Sequence, residues 1–108
     1  MKVEIVRGGK KILFKLLEPV TVHGYEVPEG FITDFASVPR SLWNVLPPLG
    51  RHNEAALLHD WLYDNRIGTR AEADKIFLNV MLQCNVKYHT ALIMWLGVRL
   101  GGGKWWRD

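Results

Sequence analysis

The stretch AALLHDWLYDN, residues 55–65, sets His59 and Asp60 side by side in an otherwise apolar run that favours a helix. Either group would be costly to bury without a partner. Because residues three and four apart share one face of a helix, both groups border Tyr63, and small alanines lie one turn before them. The stretch therefore predicts a partly buried polar notch on a helix rather than a solvated face.

Three helices are predicted in the C-terminal half of the chain, the first over about 53–65. The second begins at TRAE, residues 69–72, which is a capping box: Thr69 caps the helix, and Glu72 reaches back to the cap. The third covers 87–100 and is apolar almost all round. Such a helix is either central to the core or partly covered by another surface.

The first third of the chain has the composition of strands, with β-branched and aromatic residues between Gly and Pro. Tight turns are expected at His23-Gly24 and at 28–30. We therefore expect a single α+β domain, in which a small antiparallel sheet of three or four strands precedes a three-helix half whose first two helices pair antiparallel. Its predicted parts are mainly strands over 1–35, a connecting segment with a short helix over 36–50, helices over 51–102 and a tail over 103–108.

Composition excludes several classes of protein. The net charge is only +3, and no basic stripe with interleaved aromatic residues marks a nucleic-acid groove, so no nucleic-acid partner is expected. The N-terminus lacks the apolar core of a signal peptide, and the longest apolar run, 91–98, is too short to cross a bilayer. Cys84 is the single cysteine, which fits a reducing compartment. We expect a soluble protein made in a cytoplasm.

Asp74 places a further acidic group on the second helix, at the edge of its apolar stripe. If the first two helices pack antiparallel, Asp74 can reach the ring of His59. A carboxylate that holds one imidazole nitrogen fixes the tautomer and leaves the other nitrogen as a base. Asp60 then points elsewhere, where it could bind a hard cation. Base, orienting carboxylate and metal-binding carboxylate would suffice to activate water for hydrolysis.

The same residues also fit a purely structural explanation. His59, Asp60, Tyr63 and Asp74 would then form a network of fully hydrogen-bonded polar groups that fixes the first two helices against each other. A lone His-Asp pair on a helix is more often structural than catalytic. An enzyme should show an open cleft at His59 with a free ring nitrogen, whereas a structural protein should show that histidine sealed and fully paired.

Three further residues are candidates for the site. Asp34 follows a predicted strand and is either a second metal or site carboxylate or, with Ser37, a cap of the short helix. Ser37 lacks the Gly-x-Ser-x-Gly elbow of a nucleophilic serine. His52 lies two turns before His59, but the spacing matches no familiar zinc motif, which favours a capping or surface role.

The C-terminal segment GGGKWWRD carries two adjacent tryptophans, Trp105 and Trp106, after three glycines. They are expected to fold back onto the core. Alternatively, together with Trp95, they form a surface for a partner protein or a lipid interface.

Four stretches together resemble one protein family: GFITDFASVPRSLW (30–43), AALLHDWLYD (55–64), RAEADKIF (70–77) and VRLGGGKWW (98–106). In order and spacing they resemble the phage and prophage proteins grouped as domain of unknown function 1353. The resemblance implies a phage or prophage origin, a location in the host cytoplasm or in the virion, and a shared site at the matching positions. Those positions are Asp34, Ser37, Pro39, His59, Asp60, Tyr63 and Asp74.

A second resemblance is local. AALLHDWLYD followed by ADKIF is similar to the active-site helices of secreted and parvoviral phospholipases A2. The resemblance implies that His59 is the general base, Asp60 a calcium ligand and Asp74 the carboxylate that orients the histidine, while Tyr63 hydrogen-bonds within the dyad. The preceding stretch LPPLGRHNE, 46–54, departs from the glycine-rich calcium loop of those enzymes.

Two functions follow as expectations. The first is a small phage or prophage hydrolase that activates water with a His-Asp dyad against an ester or amide, with phospholipid as the first substrate to consider. The second is a non-enzymatic phage protein, either a virion component or a binder of a host protein or small ligand, whose polar network is structural.

Overall fold

The structure is a computed structural model that describes residues 2–8, 11–33, 53–104 and 106. Within these ranges strands come first and helices follow, which confirms the predicted α+β fold. The short helix expected within 36–50 lies outside the described residues. The strands are β1 (Val3–Gly8), β2 (Lys11–Leu16), β3 (Val20–Val22), β4 (Tyr25–Val27) and β5 (Ile32–Thr33), and the helices are α1 (Asn53–Asn65), α2 (Arg70–Gln83) and α3 (Tyr88–Gly101), after which Gly102–Lys104 forms a 3-10 turn.

The strands form two antiparallel sheets rather than the one sheet that the sequence predicts: a three-stranded sheet in the order β1-β2-β5 and the two-stranded sheet β3-β4. The reason is the predicted turn at His23-Gly24, where both residues have positive φ, 51° and 83°. Such a turn closes a two-residue hairpin, because its twist matches that of the flanking strands. The hairpin pairs β3 with β4, and β5 then pairs with β2.

Helix α1 is the centre of the fold, since it contacts α2 as well as β3, β4 and β5, while α3 packs on α2. Its residues 55–59 are all buried. Ala55 and Ala56 are fully buried and small, so neighbouring elements can approach the helix closely. Any polar side chain carried by this part of α1 is therefore held inside the protein.

The capping box at the start of α2 is present as predicted. The Thr69 hydroxyl accepts a hydrogen bond from the backbone N–H of Glu72 at 3.1 Å, and the Glu72 carboxylate accepts one from the Thr69 backbone N–H at 3.3 Å. The cap fixes the first turn of α2, and Asp74 lies in the turn that follows. No helix in the described part of the chain is both long and apolar enough to span a bilayer.

Candidate active site

The candidate site is built around the carboxylate of Asp74, which has no exposure to solvent. His59 Nε2 lies 2.7 Å from Asp74 Oδ1, and the Tyr63 hydroxyl donates to the same oxygen at 2.5 Å. The second oxygen, Oδ2, accepts a hydrogen bond from Arg99 Nη1 at 2.8 Å. The predicted contact between His59 and Asp74 is thus present, as is the predicted hydrogen bond of Tyr63 within the pair.

Each helix contributes to this cluster for a simple geometric reason. His59 and Tyr63 are four residues apart on α1, so they share one face, and their ring centroids are 4.3 Å apart. Helix α2 presents Asp74 to that face, and Phe77, three residues further on, places its ring 4.6 Å from the His59 ring. Helix α3 contributes Arg99 in its last turn.

The charges of the cluster follow from its hydrogen bonds. Burial alone would raise the pKa of Asp74, but the hydrogen bonds from His59, Tyr63 and Arg99 outweigh it and hold the pKa below its usual value. Burial and the adjacent Asp74 carboxylate raise the pKa of Tyr63, so its hydroxyl stays a neutral donor. Asp74 is therefore an anion at neutral pH.

His59 lies between two carboxylates. Burial alone would lower the pKa of His59, but the adjacent carboxylates of Asp60 and Asp74 outweigh it, so the pKa lies above its usual value of 6.5. While Nε2 contacts Asp74, Nδ1 lies 3.9 Å from Oδ1 of Asp60. The two ring nitrogens thus face different carboxylates.

Asp60 points away from Asp74, as predicted, and toward the strands. The hydroxyl of Thr33, at the end of β5, donates to Asp60 Oδ2 at 2.5 Å. Thr33 is buried, and the side chain of Asp60 is 15% exposed, which makes Asp60 the more accessible of the two carboxylates beside His59. This hydrogen bond ties the sheet to α1 at the site.

The predicted metal ligands are only partly within the described ranges. Asp60 is described, whereas Asp34, Ser37 and His52 lie outside the described residues, so their roles stay predictions. Within the described ranges no three His, Cys, Asp or Glu side chains form a group that could hold a metal ion. One carboxylate does not make a calcium site, since calcium takes six to eight oxygen ligands. The described residues alone therefore do not fit a metal centre.

The exposure of the site is low. His59 is 3% exposed, so very little of its ring reaches solvent. The described part of the chain therefore shows a buried histidine rather than the open cleft expected of an enzyme. Burial of His59 is what the structural explanation predicts.

Two arginines of the cluster were not expected from the sequence. Arg99 binds Asp74, and Arg70, in the first turn of α2, donates from Nη2 to the carbonyl oxygens of Val98 and Arg99 at 2.8 and 2.6 Å. Arg70 Nε also donates to the Tyr63 hydroxyl at 3.2 Å. Arg70 therefore holds the carboxyl end of α3 against the cluster, and the Val98 carbonyl also accepts from the backbone N–H of Gly102. The basic character of these positions was visible in the sequence, but their partners were not.

A glycine and a tryptophan complete the packing around Tyr63. A Cβ added at Gly102 would lie 2.8 Å from the Tyr63 hydroxyl oxygen. With Tyr63 in its present position, only glycine fits there. Trp106 packs edge-on against the Tyr63 ring at 5.1 Å, as expected if the C-terminal aromatic residues fold back onto the core. Trp105 lies outside the described residues.

The fold and the cluster define a small α+β protein with a buried His-Asp-Tyr-Arg network between its helices. The chain belongs to DUF1353, a family described as proteins of unknown function, whose model matches residues 14–98. The matched range contains His59, Tyr63 and Asp74, so the predicted family is confirmed over the site. No curated protein and no solved structure matches the chain. The phage origin and the likeness to phospholipases A2 stay predictions.

Proposed function

We propose that the protein is a hydrolase in which His59, oriented by Asp74, activates water against an ester or amide, with phospholipid as the first substrate class. One observation carries the proposal: a histidine contacts a fully buried carboxylate at 2.7 Å, and a tyrosine hydroxyl donates to the same oxygen. This arrangement commits Nε2 to Asp74, so Nδ1 is the nitrogen that acts as base.

The proton transfers follow from that assignment. Neutral His59 keeps its Nε2 hydrogen and donates it in a hydrogen bond to the Asp74 carboxylate, while Nδ1 takes a proton from water as the water oxygen bonds to the carbonyl carbon. The Asp74 anion stabilises the imidazolium that forms. When the tetrahedral intermediate collapses, the bond to the leaving group breaks and His59 returns the proton to it. Arg99 acts through Asp74, because its guanidinium keeps that carboxylate ionised.

Substrate must approach His59 from the side of Asp60. Asp74 is fully buried and closes the Nε2 side of the ring, whereas Asp60 lies on the Nδ1 side and is partly exposed. Since His59 itself is 3% exposed, binding requires side chains around Asp60 to move. Induced closure and opening of this kind is common in enzymes that exclude water from the reacting groups.

Calcium is the cofactor to test with this activity. Among the described residues the Asp60 carboxylate would be the ligand, and the remaining oxygens would have to come from backbone groups or from residues outside the described ranges.

The burial of His59 favours a second candidate, a non-enzymatic phage protein that forms part of the virion or binds a host protein or small ligand. In that case the network around Asp74 serves to fix α1, α2 and α3 relative to one another.

Release of fatty acid from mixed phospholipid vesicles tests the first proposal against the second. Wild type, His59→Gln and the control His23→Gln, which changes an exposed histidine in the β3-β4 turn, are assayed with calcium, with zinc and with chelator. The hydrolase should release fatty acid in the wild type and His23→Gln and lose release in folded His59→Gln. Absence of release by folded wild type under every condition, together with a sharply lower Tm for His59→Gln, would contradict the hydrolase and support the structural role.

A further inference from the structure

One guanidinium group contacts both parts of the protein that supply donors to Asp74 beside His59. Nε of Arg70 donates to the Tyr63 hydroxyl oxygen at 3.2 Å, and that hydroxyl donates to Oδ1 of Asp74. Nη2 of Arg70 donates to two backbone carbonyl oxygens in the last turn of α3, one of them that of Arg99 at 2.6 Å. The side chain of Arg99 in turn donates to Oδ2 of Asp74. Each oxygen of the buried carboxylate therefore has a donor that Arg70 holds.

The Tyr63 hydroxyl has only one orientation that satisfies both of its neighbours. A phenol oxygen carries one hydrogen and can also accept a hydrogen bond. The guanidinium of Arg70 can only donate, and the ionised carboxylate of Asp74 can only accept. Tyr63 therefore accepts from Arg70 and gives its single hydrogen to Asp74.

Arg70 occupies a position that its own helix does not favour. It is the first residue of α2, and the amino end of a helix carries a partial positive charge, which disfavours a cation. Its guanidinium instead contacts the carboxyl end of α3, where the partial charge is negative. Contacts with α3 and Tyr63, rather than the local preference of α2, therefore account for an arginine at this position. A departure of this kind from local preference is expected at functional positions.

Two glycines after α3 leave room for this guanidinium. A Cβ at Gly102 would lie 3.4 Å from Nη2 of Arg70 and 2.8 Å from the Tyr63 hydroxyl oxygen. A Cβ at Gly103 would lie 3.8 Å from Cζ and from Nη1 of Arg70. The backbone that follows α3 therefore packs closely on the contact between Arg70 and Tyr63, and a side chain at Gly102 would displace one of these two groups.

We propose that Arg70 is a positioning residue, which holds both donors of the Asp74 carboxylate on its two oxygens. The donors are the Tyr63 hydroxyl and the Arg99 guanidinium. They keep Asp74 ionised, and the anion in turn orients His59 and stabilises the imidazolium that forms when His59 takes a proton. This contribution to catalysis rests on the proposed function, whereas the geometry at Asp74 does not depend on it.

NMR titration of the Asp74 carboxyl carbon tests the proposal with the whole chain. Arg70→Lys keeps the positive charge but lacks the planar group that binds a hydroxyl and two carbonyl oxygens at once. The pKa of Asp74 should therefore rise in Arg70→Lys, because its donors are no longer held, and rise further in Arg70→Gln, which also loses the charge. Arg66→Gln, which changes an exposed arginine between α1 and α2, should leave the pKa of Asp74 at its wild-type value.

A second background separates positioning from a general loosening of the fold. In Tyr63→Phe the hydroxyl that Arg70 holds is absent, so Arg70→Lys should raise the pKa of Asp74 by less than it does in the wild type. A general loosening would raise it equally in both backgrounds. This comparison uses only the milder change at Arg70, so it does not require that Arg70→Gln folds.

Three results would overturn the proposal: a wild-type pKa of Asp74 in Arg70→Lys, the same pKa of Asp74 in Arg70→Lys and Arg66→Gln, or equal rises in the two backgrounds. The fatty-acid release assay is independent of these titrations. Shifts as expected in a protein that releases no fatty acid would contradict the hydrolase and support the positioning role. Release by the wild type, with no shift in Arg70→Lys, would support the hydrolase and overturn the positioning role.

Discussion

Nε2 of His59 lies 2.7 Å from Oδ1 of Asp74, a carboxylate with no exposure to solvent. An ionised carboxylate this deeply buried is stable only when its partners compensate for the lost hydration. Here the partners come from three helices: Tyr63 joins His59 from α1, and Arg99 reaches Oδ2 from α3. The pair is therefore both a candidate catalytic dyad and a junction of the fold, and the predictions below separate these roles.

Asp74→Asn should destabilise the protein by about 3 kcal/mol, because its partners lose the anion that compensates their burial. Asp64→Asn changes an exposed carboxylate on the same helix as His59 and should alter stability by less than about 0.5 kcal/mol. Urea denaturation of the two variants at neutral pH measures the difference. Equal stability of both variants would show that the buried carboxylate does not anchor the helices.

Tyr63→Phe removes one donor to Asp74 and the acceptor of Arg70 Nε without emptying the site. The loss should cost about 1–3 kcal/mol, since one of the two hydrogen bonds is to an anion. Tyr88→Phe is the control, because that tyrosine is 65% exposed. Thermal denaturation should show a lower Tm for Tyr63→Phe only; a Tm equal to that of the control would contradict the assigned hydrogen bonds.

Gly102→Ala and Gly97→Ala should have effects of opposite sign. A methyl group at Gly102 would come within 2.8 Å of the Tyr63 hydroxyl oxygen, which predicts a loss of about 1–3 kcal/mol. At Gly97, inside α3, a methyl group meets nothing within 4 Å, so the helix preference of alanine should stabilise by up to about 1 kcal/mol. Denaturant titration gives both values. A stabilised Gly102→Ala variant would mean that Tyr63 is not held where the structure places it.

Stability should depend on pH through His59 and Asp74 with opposite signs. Folding raises the pKa of His59, so its contribution is complete below pH 6.5 and is lost as pH rises through the folded-state pKa. Folding lowers the pKa of Asp74, so its contribution is complete above pH 3.8 and is lost as pH falls through the folded-state pKa.

Their combined contribution is therefore largest between pH 3.8 and 6.5. Urea denaturation from below pH 3.8 to well above pH 6.5 tests it, with His59→Gln as the comparison. The variant should lack the decline on the alkaline side, and a decline of the same size in both proteins would assign it to other groups.

The sequence predicted the helices well because their signals are local. The capping box at Thr69 and Glu72 fixes the start of α2, and α1 covers the predicted range 53–65. The division of the strands into two sheets was not predicted, because the turn pairs β3 with β4 but does not specify whether that hairpin joins the sheet of β1 and β2. Local turn chemistry identified His23-Gly24 correctly but did not specify the partner of β5.

The site was predicted to the extent that helical geometry determines it. Spacing on α1 and α2 was enough to bring His59, Tyr63 and Asp74 together. Arg99 was missed because α3 is apolar almost all round, so no periodic pattern shows which side faces the cluster. Arg70 was missed because its acceptors are backbone carbonyl groups, which no side-chain pattern reveals.

The pH dependence of ester hydrolysis by the folded protein tests the central claim most directly. If neutral His59 activates water, the initial rate of fatty-acid release should rise with pH, with its midpoint above 6.5, because the carboxylates beside the ring raise its pKa. The midpoint should equal the pKa of His59 measured from its imidazole carbon resonances. A rate of fatty-acid release that stays constant as the pH rises through and above 6.5 would contradict the role of His59 as the base. A midpoint that differs from the pKa of His59 would contradict it as well.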